Sequence, residues 1–161
     1  MSDRADPAPD GLARWAVQIS DVLRYKGDEV ITTTAQTPVR ELLRLLAEHR
    51  IGALVVVAGE TEAAAVSGIV SERDVVRRLH DRGADLLDAT VGEIMTSTVI
   101  GCTPHDSLDS IATTMTERRV RHMPVLDEGR LVGIVSIGDV VSARMRQLEQ
   151  DRAQLEQYIT G

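Results

Sequence analysis

The chain repeats itself, and this limits what it can fold into more than any other feature. Gly68-Ile69-Val70-Ser71-Glu72-Arg73-Asp74-Val75-Val76 returns as Gly133-Ile134-Val135-Ser136-Ile137-Gly138-Asp139-Val140-Val141, and seven of the nine positions are identical. The upstream pattern returns as well. Val39, Leu42, Leu43 and Leu46 make one apolar helical face, and Leu108, Ile111, Ala112 and Met115 repeat its spacing. Strands are predicted at Ala53–Val57 and Met123–Leu126, each followed by a turn and a second strand, Ala65–Val70 and Leu131–Val135. Asp127-Glu128-Gly129-Arg130 predicts a tight hairpin, while the first copy uses the longer loop 58–64. The entries are Ile19–Leu23 then Val30–Thr32, and Val91–Met95 then Val99–Ile100. Each unit therefore reads as short helix, extended entry, helix, strand, strand, helix.

A unit of roughly 55–60 residues is close to the smallest that can bury a core alone. The two units are therefore expected to pack together and share an apolar seam. The boundaries read as a flexible tail at 1–14, a first repeat at 15–82, a linker at 83–90, a second repeat at 91–146 and a helical extension at 147–161. From Gly138 the chain runs without Pro or Gly to Thr160, with Val141, Met145, Leu148, Leu155 and Ile159 in a heptad-like stripe that Arg152 interrupts. This helix either folds back on its own domain or forms a dimer seam, and the dimer is the favoured reading.

Composition removes several function classes. The 161 residues carry 25 acids against 18 bases, a net charge of −7, which argues against nucleic acid and anionic membrane surfaces as partners. The aromatics are Trp15, Tyr25 and Tyr158, too few to make stacking platforms for single strands. No apolar run spans a bilayer, no signal core opens the chain, and the single Cys102 fits a reducing compartment, so a cytoplasmic protein is expected. Cys102 reads as a packed thiol. His49, His80, His105 and His122 lack metal-ligand spacing, and no nucleophile has a base beside it, so no enzyme is expected. Of the 18 basic residues a single one is lysine, Lys26. It is either a chance surface residue or one kept for its compact ammonium.

The doubled Gly-Ile-Val-Ser-x-x-Asp, with Arg121-His122-Met123-Pro124-Val125 before the second copy, resembles the cystathionine-β-synthase-type (CBS) domain pair, or Bateman module. The likeness covers about Ile19 to Met145, and it is nearest in style to small stand-alone bacterial members. The resemblance implies an α+β fold in which each repeat is a small sheet packed with helices. It also implies a pseudo-two-fold pair with two clefts and a disc-like homodimer. It implies a regulatory module whose ligand contains adenosine: AMP, ADP, ATP, NAD or S-adenosylmethionine, with no obligatory cofactor.

On that resemblance, Asp74 and Asp139 grip the ribose, and Ser71 and Ser136 donate hydroxyls to ribose or phosphate. Each Ser-x-x-Asp opens a helix, where unpaired N–H groups favour a phosphate. The same spacing is also a capping box, and both roles can coexist. Arg121 suits a phosphate and His122 could add a donor, although Arg118, Arg119 and Arg121 could equally be a solvated helix end. Gly52-Ala53 stand at those positions in the first repeat and Gly138 stands opposite Arg73, so the clefts should differ. Lys26 is a further phosphate candidate. Val30, Thr32, Val99, Ile69 and Ile134 are adenine-slot candidates that could also be plain core. Pro124 is either an edge-strand residue or backbone opened toward a ligand. A ligand-free dimer that docks an unidentified protein partner is the alternative function.

Overall fold

The structure is a computed structural model and describes residues 16–27, 29–59 and 64–160. The expected tail, Trp15, part of the 58–64 loop and Gly161 lie outside the described residues. The first half runs α1 (Ile19–Lys26), β1 (Thr32–Thr34), α2 (Val39–His49), β2 (Ala53–Val57), β3 (Val66–Ser71) and α3 (Glu72–Arg82). A 3₁₀ segment, Gly83–Asp88, leads to the second half: α4 (Val91–Ile94), α5 (Leu108–Arg118), β4 (His122–Asp127), β5 (Arg130–Ser136) and α6 (Ile137–Thr160). The fold is mixed α+β, built twice.

The sheets follow from the two apolar strand pairs. β2 lies between β1, its parallel neighbour, and β3, its antiparallel one. β4 and β5 form an antiparallel hairpin, turned by Glu128 and Gly129, both at positive φ (48° and 78°) as a type I′ turn requires. The second half has no counterpart of β1. Its entry is reduced to one parallel bridge, in which the Cys102 N–H donates to the Pro124 carbonyl at 2.9 Å and the Leu126 N–H to the Cys102 carbonyl at 2.8 Å. Pro104 follows two residues later where the first half has Ala35, and a residue with no N–H cannot extend a ladder.

Two cores hold the pair together. One gathers Val39, Leu42 and Leu46 of α2 with Leu54, Val56 and Val70 of the first sheet. The other gathers Leu108, Ile111 and Met115 of α5 with Met123, Val125 and Val135. The short helices are exchanged between them. Ile19 and Val22 of α1 enter the second core, whereas Val91 and Ile94 of α4 enter the first. The backbone makes the same exchange: the Ile19 N–H donates to Asp106 and the Leu108 N–H to Val17, while the Val39 N–H donates to Ala89 and the Val91 N–H to Thr37. Sequence order groups each short helix with the repeat that follows it, but in space each completes the other repeat. Fully burying one such Val, Leu or Ile side chain contributes about 1.5–3 kcal/mol, so the exchange ties the halves together strongly.

Candidate functional site

Each repeat ends in a strand-to-helix corner. At the first, Ser71 is extended (φ −131°, ψ 166°) and caps α3. Its N–H donates to Asp74 Oδ2 at 2.8 Å and its hydroxyl to the same oxygen at 2.9 Å. Asp74 Oδ1 makes no hydrogen bond among the described residues. The capping box is therefore real, and it engages only one of the two carboxylate oxygens.

Asp74 borders a cleft of about 320 Å3 that lies between α3 and the α5–β4 junction of the opposite repeat. Four arginines line it: Arg73 and Arg77, one turn apart on α3, and Arg119 and Arg121 from the junction. None of the four makes an ion pair or side-chain hydrogen bond among the described residues. Four unpaired guanidiniums thus gather in one cleft of an acidic chain, beside the Glu72 and Asp74 carboxylates, and each is a planar donor whose fork matches carboxylate or phosphate oxygens. Arg119 sits in left-handed backbone (φ 54°, ψ 36°), where its N–H donates to the Met115 carbonyl and closes α5. Arg50 closes α2 in the same way (φ 54°, ψ 43°), so this turn belongs to the repeat. Ile69 and Ile100 add apolar wall, and Thr96 pins Ile69 through two backbone hydrogen bonds of 3.0 and 2.9 Å.

His122 is half-buried at the back of the cleft, so close to Gly52 that a Cβ there would stand 3.5 Å from its imidazole. Burial pushes its pKa below the usual histidine value, and the Lys26 and Arg121 charges act in the same direction against Asp139 and Glu72. The ring is therefore neutral at pH 7.

The second corner is built differently. The Ser136 N–H donates to Asp139 Oδ2 at 2.7 Å and the Asp139 N–H to Ser136 Oγ at 3.2 Å, a complete capping box. Lys26 Nζ also donates to Asp139 Oδ2, at 2.7 Å, and to the Ile134 carbonyl at 2.8 Å. Burial works to raise the Asp139 pKa, but the Lys26 and Ser136 hydrogen bonds outweigh it and hold the carboxyl below the usual range. Where α3 at the first corner carries Arg73 and Arg77, α6 at the second has Gly138 and Ser142.

Of the residues singled out from sequence, Ser71, Arg73, Asp74, Ile69, Arg121 and His122 come together on the arginine-lined cleft. Ser136, Asp139, Ile134 and Lys26 meet at the second corner. Val30, Thr32, Val99 and Pro124 do not line the cleft. Thr32 is an exposed β1 residue paired with Val55, and Pro124 is buried in β4 opposite Ile134. Val30 and Val99 are half-buried on the entry segments. Arg77, Arg119, Thr96 and Thr98 line the cleft without having been singled out for it. Arg77 was legible in principle, because it follows Arg73 at i+4 on one helix face.

A duplicated α+β pair with a ligand-sized cleft between its repeats is the architecture of a regulatory pair module. The CBS domain model matches residues 19–81 and 91–146, and the chain belongs to the CBS domain family as a tandem pair. It is 36% identical over 150 residues to the mitochondrial CBS domain-containing protein CBSX3 of Arabidopsis thaliana, covering 89% of this chain and 72% of that one. A CBS-domain containing protein from Agrobacterium tumefaciens superposes with a TM-score of 0.75 at 39% identity, covering 80% of this chain and 99% of that one. A CBS domain pair solved in complex with 5′-methylthioadenosine and S-adenosyl-L-methionine superposes with a TM-score of 0.71 at 25% identity, covering 82% and 98%. Among the described residues no helix is long and apolar enough to cross a membrane.

Proposed function

We propose that this regulatory module is a sensor that binds an adenosine nucleotide in the arginine-lined cleft, with the ribose at Asp74 and the phosphate among the guanidiniums. The supporting observation is the meeting of one half-used carboxylate with four unpaired arginines in a cleft of about 320 Å3. A carboxylate can accept both ribose hydroxyls, and Ile69 and Ile100 offer an apolar wall to the base. The adenosine compounds bound by the related pair fit this reading. The local charge favours the phosphorylated members of the group, AMP, ADP, ATP and NAD, over the cationic sulfonium of S-adenosylmethionine. The module acts without catalysis on this reading: the lone thiol, Cys102, is buried and pushed up to about 12 by its burial. That buried, unpaired thiol also suits a reducing, cytoplasm-like compartment.

Melting curves with AMP, ATP, NAD and S-adenosylmethionine test the reading, since a ligand that binds only the folded state raises the melting temperature by mass action. Phosphorylated ligands should raise it and lose that effect in Asp74→Ala. Flat curves with all four at millimolar concentration reject the sensor.

The module also works as a homodimer in this proposal. Val76 and Leu79 on α3 and Ile137, Val141, Met145 and Leu148 on α6 are all 44–67% exposed. Such a run of apolar side chains on two helices marks an interface. A partner protein could read the ligand state from that dimer.

A further inference from the structure

The two corners come from one duplicated motif, yet a cation of the chain itself fills only one of them. The cause lies in the short helices. α1 and α4 place Ile19/Val91 and Val22/Ile94 alike in their cores, but α4 stops at Ile94 whereas α1 continues to Lys26. After α4 the chain is free to pair, and Thr96 donates to and accepts from Ile69. After Leu23 the helix runs on for another turn, and the Ile134 carbonyl takes the Lys26 ammonium where its counterpart takes a backbone N–H. The same ammonium reaches Asp139. The pair is about one-third exposed at Lys26 and one-fifth at Asp139.

We propose that Lys26 is a built-in occupant of the second corner. It engages the carboxylate that a ribose would need there, so that the module holds one nucleotide per chain, at Asp74. The surroundings agree with this. The helix of the occupied corner has Gly138 and Ser142 where that of the open one has Arg73 and Arg77, so it offers less to a phosphate, whereas four arginines line the open cleft and, among the described residues, no cation lies on its aspartate. The stoichiometric claim rests on the nucleotide reading of the Asp74 cleft; the occupancy of the second corner by Lys26 does not.

Lys26 is the only lysine, so acetylation of the full chain by an N-hydroxysuccinimide ester, followed by peptide mass spectrometry, reads this ammonium directly. Asp139→Asn keeps the side-chain shape and should raise the acetylation rate several-fold. Asp74→Asn should leave it unchanged, as should saturating AMP on the wild-type chain. Calorimetric titration should give one AMP per wild-type chain and two per Lys26→Met chain, the second weaker. Equal Lys26 reactivity in wild type and Asp139→Asn, or protection of Lys26 by AMP, overturns the proposal, as does a single site in a folded Lys26→Met. A wild-type chain that binds no AMP while acetylation behaves as expected leaves Lys26 on Asp139 but removes the nucleotide reading. Nucleotide binding lost in Asp74→Ala with a freely reactive Lys26 does the reverse.

Discussion

Gly133 lies directly beneath Leu23, and a Cβ on that glycine would come within 2.6 Å of Leu23 Cδ2. The repeat is exact in kind: a Cβ on Gly68 would come within 2.7 Å of Met95 Sδ and 3.0 Å of the Thr96 carbonyl. The glycine of each Gly-Ile-Val-Ser motif is thus the contact at which an exchanged short helix meets the hairpin. Gly133→Ala and Gly68→Ala should each destabilise the chain by about 1–3 kcal/mol through overpacking, read as a lower urea midpoint. Unchanged midpoints in both would mean the short helices are not closely docked.

The duplication, the four main strands, the long last helix and the Ser-x-x-Asp corners were legible because they depend on local periodicity and on two copies of one motif. The exchange of α1 and α4 was not. It depends on long-range bridges such as Ile69 with Thr96 that leave no local pattern. For the same reason Thr96 and Thr98 were missed, and nothing local showed that the ammonium of Lys26, a phosphate candidate on the sequence alone, lies on Asp139. β1 forms two residues later than its apolar run suggested, because Thr32–Thr34 is the stretch that reaches the parallel register with Val55–Val57.

His122 gives the chain an acid-sensitive element. Its folded pKa is depressed, chiefly by burial, so the unfolded chain takes up the proton first as pH falls. Stability should be fully present above the ordinary histidine value of about 6.5 and decline below it. His122→Gln should flatten that decline in chemical melts between pH 7 and pH 5. An equal decline in both chains contradicts the assignment.

Cys102 should act in the opposite pH range. Its thiol is held neutral to about 12 by burial, first of all, and by the Asp106 charge. The unfolded thiol ionises near its ordinary value, so stability should fall as pH rises through that value toward 12. In the native chain at pH 8, labelling by a thiol reagent should be slow and should follow opening of the core. Rapid labelling of the folded chain would contradict this burial.

The apolar faces of α3 and α6 should hold two copies together. Val141→Glu and Val76→Glu place charges on side chains that are 53% and 67% exposed, so folding should be spared while self-association is lost. Sedimentation velocity reads this directly: a dimer for the wild-type chain and a monomer for the double variant. A wild-type monomer at high concentration contradicts the seam.

The most direct test of the central claim is calorimetric titration of the full chain with AMP, beside Asp74→Ala and Arg121→Ala. The wild-type chain should bind saturably. Each variant should lose about 1.5–3 kcal/mol, roughly tenfold or more in affinity, as expected for removing hydrogen bonds to a charged group. Adenosine without phosphate should be indifferent to Arg121→Ala. No saturable heat in the wild type, or equal affinity in all three chains, would contradict the account.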